Sequence, residues 1–299
     1  MPSLVTGAFA LTALAAAFVH VTVPAAGASP SLIARAHAQR EAATDLAISG
    51  DLQSLPSGTT RYLSREDLLT LPQSTFTVRD DPNFTGPTEV SGVLLEDLVH
   101  ALARDPDSAL VVAICDDRYH AHYPRRYLAD HHPLLVLRIN GQPPDRWPKD
   151  SEGHGNDMGP YLISHRQFTP ALKILAHVEE RQIPWGVIGL EFRAEKSFFA
   201  AIAPRRNASN PSVEAGFRIA QQTCLRCHNM GDVGGDKAQH PWLVLSAWAA
   251  SEPAHFAAYV RNPQSVNPRA QMPANPDFDA DTLDALIAYF QTFQSPEKP

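Results

Sequence analysis

Gln221-Gln222-Thr223-Cys224-Leu225-Arg226-Cys227-His228 sets two thiols and an imidazole on one short stretch of chain. With two residues between them, both sulfurs can reach opposite edges of one porphyrin and add to its vinyl groups, and the adjoining His228 is aimed at the iron from the same turn. The chemistry predicted is covalent attachment of haem c. A zinc site would ask for two further soft ligands, and the remaining cysteine, Cys115, is far upstream. A redox-active C-x-x-C is the other competitor.

The motif supplies one axial ligand to the iron, His228, and a second has to come from another segment. A thioether suits an electron carrier, because it is soft and raises the potential relative to bis-histidine ligation. Met272, followed by the stiffening Pro273, is the candidate. Met230 is too close to His228 to cross to the other face, and His240 is the competing imidazole.

These groups need a shell to hold them. Asn210-Pro211 predicts a helix start, with proline at the first helical position, running through Gly216-Phe217-Arg218-Ile219 into the cysteines. Leu283, Leu286, Ile287 and Phe290 form one apolar stripe of a terminal helix begun by aspartates near Asp279 and Asp281. Phe256, Tyr259 and Val260 mark a helix that stops before Asn262-Pro263.

From about Asn210 to Gln294 the chain resembles a class I cytochrome c. The resemblance is carried by Gly216, Cys224-Leu225-Arg226-Cys227-His228, Pro241 with Leu243, Met272-Pro273 and Leu286-Ile287-Ala288-Tyr289-Phe290. It implies that Gly216 lets the first and last helices cross closely and that Met272 is the sixth ligand. It also implies that the Pro241 carbonyl accepts the N–H of the proximal imidazole. The first-helix position usually held by an aromatic is Ala220, so Phe217 or Phe290 is expected to fill the gap.

Upstream the pattern changes. Ser64-Arg65-Glu66-Asp67 reads as a capping-box helix start, and Thr75 to Arg79, Leu110 to Cys115, Leu134 to Ile139 and Tyr161 to Ser164 read as short strands. Val93 to Ala103 reads as an amphipathic helix with Leu94, Leu98 and Ala101 on one face. A strand-rich α+β domain is predicted. His120, His122, His131, His132, His154 and His165 crowd this region, and His120 and His122 with Cys115 would make a possible copper or zinc patch.

The landmarks of this domain resemble the molybdopterin-binding domain of the sulfite oxidase family. They are Leu71-Pro72-Gln73-Ser74-Thr75, Gly92-Val93-Leu94-Leu95-Glu96-Asp97-Leu98, Cys115-Asp116-Asp117-Arg118-Tyr119, Asn140-Gly141-Gln142-Pro143 and Gly159-Pro160-Tyr161-Leu162. The resemblance implies that Cys115 occupies the place of a thiolate that binds molybdenum beside a pterin. The chain departs from the family in having Arg118 where its turn has glycine, and in lacking an evident set of basic residues for a pterin phosphate. Cys115 is accordingly read either as a molybdenum ligand or as a buried, inert thiol.

Composition and leader set the compartment and the partners. Leu4 to about Ala28 is apolar, lacks acidic residues and ends in the small-x-small pattern Ala26-Gly27-Ala28, which predicts a removed export signal and a periplasmic protein; its lack of Lys and Arg leaves an uncleaved anchor as the alternative. A net charge of −7 with interspersed signs offers no basic stripe, so neither nucleic acid nor an anionic membrane surface is an expected partner. The expected organisation is a signal peptide at 1–28, an extension at 29–60, a sulfite oxidase-like domain at 61–203, a linker at 204–209 and a cytochrome c domain at 210–295. Two functions compete. One is single-haem electron transfer with a redox partner protein; the other is a molybdenum-dependent oxidoreductase passing electrons from Cys115-bound molybdenum to the haem.

Overall fold

The computed structural model describes residues 31–149 and 157–294, so the expected leader and His154 lie outside the described residues. In chain order come helix α1 (Leu32–Arg35), strands β1 (Leu46–Gly50) and β2 (Arg61–Leu63), helix α2 (Arg65–Leu69), strands β3 (Ser74–Val78) and β4 (Thr88–Leu94), helix α3 (Leu95–Leu102), and strands β5 (Ala109–Cys115) and β6 (His120–Tyr123). Helix α4 (Arg125–His131), strands β7 (Leu134–Ile139), β8 (Tyr161–Ser164), β9 (Lys173–Ile174), β10 (His177–Val178) and β11 (Trp185–Ala194), and helix α5 (Glu195–Ala200) complete this part. The remainder is helical: α6 (Pro211–Thr223), α7 (Trp242–Ser251), α8 (Pro253–Arg261), α9 (Pro263–Val266) and α10 (Ala280–Gln291). The fold is an α+β part followed by an all-α part.

Local signals account for many of these boundaries. Ser64 and Asp67 form a reciprocal capping box on α2. Asn210 caps α6, with Pro211 at its first position, and Asp279 caps α10. The helix expected from Val93 begins only at Leu95, because Val93 and Leu94 are still paired with Leu135 and Leu134 at the end of β4.

The sheet runs β2-β1-β11-β8-β7-β4-β3, with β5 on the other side of β11 and β6 beyond it. Strand β1 is parallel to β11, Ala47 facing Gly189, so the segment expected to be an extension supplies a sheet strand. Strand β5 is antiparallel to β11, Leu190 facing Ala113, and its two faces serve two cores. Val111, Ala113 and Cys115 face inward with Leu46, Ile48 and Leu135. Leu110 and Val112 face the opposite way and pack in one core with Ile219, Trp242, Phe256 and Phe290 of the helical part. That is why β5 reads as an unbroken apolar run: it is covered on both sides.

The stretch expected to be a linker is tied down as well. Arg205 N donates to Thr292 Oγ1 at 3.3 Å, and Arg206 Nη2 donates to the Gln291 carbonyl at 3.0 Å. Sheet and helices therefore share a core and a strapped connection.

Candidate haem site

The two cysteines and the histidine sit where α6 ends. Cys224 N donates to Ala220 O at 3.0 Å, after which Cys227 N and His228 N both turn back onto Cys224 O, at 3.2 and 3.0 Å. This turn brings both thiols and the imidazole to one cleft, which Met272 also lines, with Val260 and Phe278 as apolar walls. Met272 is positioned from α9 and α8: its carbonyl accepts from Gln264 Nε2 of α9 at 3.0 Å, and Asn275 bonds the Arg261 and Val260 carbonyls of α8 at 3.0 and 2.9 Å.

Burial pushes the Cys224 thiol up to about 12 and raises that of Cys227, so both are neutral thiols before any thioether forms. Burial also holds the His228 imidazole below its ordinary value, in the neutral form that can ligate a metal. His228 Nδ1 lies 2.6 Å from the His240 carbonyl. A carbonyl can only accept, so Nδ1 carries the proton and the lone pair of Nε2 is free for iron. The residues present thus fit a haem: two thiols, an imidazole with its tautomer fixed, and a thioether on one cleft.

The acceptor differs by one residue from the expected Pro241. The Pro241 carbonyl is committed to starting α7, accepting Val244 N at 2.8 Å and Leu245 N at 3.3 Å, so the free carbonyl is that of His240. The same bond holds the backbone of His240, the competing histidine, beside the His228 ring. Gly216 behaves as expected, since a Cβ there would fall 2.0 Å from the Ala285 carbonyl of α10. Of the two residues expected to compensate for Ala220, Phe217 packs its ring 5.5 Å from that of Tyr289 and Phe290 packs 5.0 Å from that of Trp242.

Nothing in the sequence assigned two further lining residues to this cleft. Tyr119, in the turn between β5 and β6, and Glu180, after β10, reach the cleft from the sheet part, where both touch Arg226 of the cysteine turn. Tyr119 ends the Cys115–Tyr119 landmark and Glu180 belongs to no motif, and both reach the haem cleft through tertiary packing.

Cys115 is buried on the inner face of β5, 3% exposed, and does not line the haem cleft. Burial first, then Asp117 and Asp116, drive its thiol far above the ordinary range. The turn after it is capped by the helical part. Asp236 N donates to Arg118 O at 3.1 Å, Arg118 pairs with Asp236 at 3.5 Å, and Lys237 Nζ bonds Asp117. Arg118 adopts the left-handed conformation that glycine favours, with φ of 68°. A pterin would need cations and open space here; it would meet two carboxylates, cations already paired, and a docked turn. The residues around Cys115 do not fit a molybdopterin.

The expected patch of Cys115, His120 and His122 does not assemble either. His120 and His122 face Ile114 and Val112 across the β5–β6 ladder, so they point to the face opposite Cys115. Among the described residues no three His, Cys, Asp or Glu side chains form a group that could hold a metal ion by themselves, and no helix is long and apolar enough to cross a membrane.

Residues 211–290 match the family model described as "Cytochrome C oxidase, cbb3-type, subunit III". No curated protein matches the chain. Among solved structures, the sulfane dehydrogenase SoxCD from Paracoccus pantotrophus is similar at 17% identity with a TM-score of 0.35, over 52% of this chain and 40% of that one. The chain therefore spans less than half of that protein, and a likeness of this degree bears on nothing beyond itself.

Proposed function

We propose that this chain, whose residues 211–290 form a c-type cytochrome domain, is an exported one-electron carrier in which Cys224 and Cys227 hold haem c and His228 and Met272 ligate its iron. The observation that carries this reading is the meeting of those four side chains on one cleft. Bound haem would supply one-electron exchange between ferric and ferrous iron.

The protein's own residues do the rest. Cys224 and Cys227 would hold the porphyrin by two thioethers, and the His240 carbonyl keeps the His228 proton on Nδ1 and the ring in place. Gln264 of α9 and Asn275, bonded to α8, hold the Met272 loop in place. With His228 and Met272 both available to the iron, the site would admit no substrate to the metal, and a bound haem would exchange electrons with a redox partner protein. Export to the periplasm belongs to this proposal and is supported by the leader sequence and the motif.

Carbon monoxide tests the ligand set. The reduced wild-type protein is expected to keep its visible spectrum under the gas, whereas Met272→Ala opens the sixth position and gives a carbonyl spectrum. A wild-type spectrum that changes as the variant's does would remove Met272 from the iron and show an open, ligand-binding haem instead.

A further inference from the structure

Arg226 is the one ion between the two haem cysteines, and the sheet part holds it from two sides. Its side chain is 17% exposed. Nη2 donates to Glu180 Oε2 at 3.0 Å and Nη1 donates to Tyr119 Oη at 3.2 Å, with the guanidinium carbon 6.0 Å from the Tyr119 ring centre. Its backbone is held too. The Arg226 carbonyl accepts His120 N at 3.0 Å, and Gly235 is pressed so close that a Cβ there would lie 2.0 Å from that oxygen. Arg226, Tyr119 and Glu180 line the same cleft as Cys224, Cys227, His228 and Met272.

Oxidation of a haem iron adds one positive charge to the cleft. A fixed cation on the wall opposes that step and a carboxylate favours it, and in a partly dehydrated cleft such interactions are weakly screened. Arginine does not lose its charge at accessible pH, so the cation is permanent. The carboxylate that offsets it comes from a distant segment of the sheet part.

We infer that the sheet part is a working component of the haem site: Tyr119 and Glu180 clamp Arg226 against the cleft, and the opposed charges of Arg226 and Glu180 set the reduction potential. The inference rests on the haem reading above and gives the upstream part a role without a cofactor of its own. It also accounts for the docking of the Cys115 turn onto the helical part, since that turn delivers Tyr119.

The test is a redox titration of the full-length haem protein, wild type beside Glu180→Gln, Arg226→Gln and Tyr119→Phe, with exposed Glu214→Gln on α6 as a control for net charge. Glu180→Gln leaves the cation uncompensated and is expected to raise the potential. Arg226→Gln leaves the carboxylate alone and is expected to lower it. Each shift is expected to reach a tenfold change in the oxidised-to-reduced ratio, 59 mV for one electron. Tyr119→Phe should move it less, and Glu214→Gln should not move it. Shifts of the same sign in the two charge variants, or changes under twofold, would overturn the inference while leaving the haem reading intact. If Arg226→Gln fails to accumulate, the sign of the Glu180→Gln shift decides. A wild-type protein without covalent haem would defeat the haem reading first, and this inference with it.

Discussion

His122 is buried, 5% exposed, and neither ring nitrogen has a hydrogen-bond partner among the described residues. Burial, with His120 a smaller contribution, pushes its pKa down to about 3, and burial with His131 does the same to His165. Both imidazoles are neutral in the folded protein and bind protons near 6.5 once unfolded. The unfolded state therefore gains protons first as pH falls. Their contribution to stability is complete above 6.5 and declines through the window down to about 3. Urea unfolding at pH 7 and pH 4.5 should show a loss on the order of several kcal/mol from such groups. His122→Phe, which removes one of them and leaves nothing unpaired, should lose less. An unchanged pH dependence in that variant would contradict the account. At this scale the sequence was most legible where the chemistry is local: Cys224, Cys227 and His228 announce themselves by spacing. Tyr119 and Glu180 do not, because their place at the haem cleft depends on how two distant segments pack.

Helices α6 and α10 cross at Gly216, where a side chain would collide with the Ala285 carbonyl and Tyr289 Cβ. Gly216→Val should cost roughly 1–3 kcal/mol through overpacking, more if the crossing has to open. Thermal unfolding followed in the haem band would report it, and a variant as stable as wild type would mean that the crossing is looser than described. The caps at Asn210, Asp279 and Ser64 were readable because capping is a contest between a few neighbouring groups. Strand β11 was not. Gly186 and Gly189 interrupt its apolar pattern, and its register shifts between Val187 and Gly189, so only its pairing with β1, β5 and β8 makes it the centre of the sheet. The end of β4 was hidden for a related reason: Val93 and Leu94 suit a helix face equally well until β7 pairs with them.

Across the whole described molecule, the sheet and the helices meet through Leu110 and Val112 on one side and Ile219, Trp242 and Phe290 on the other. No periodicity in one segment reveals a core shared by two, which is why two separately packed domains were the natural expectation. Leu110→Ala should cost about 2–5 kcal/mol. It should also lower the unfolding temperature reported by far-ultraviolet dichroism and by the haem band together. Separate transitions, with only one of them displaced, would show that the two parts fold independently.

The claim on which the rest depends is that one covalent haem is the redox centre of this chain and that Cys115 is a buried thiol. Cofactor analysis of protein expressed in a cell that makes both haem c and molybdopterin tests it directly. The account predicts one covalently bound haem iron per chain, lost when Cys224 and Cys227 are both changed to Ala, and no molybdenum in wild type or in Cys115→Ser. Stoichiometric molybdenum that disappears in Cys115→Ser would contradict it.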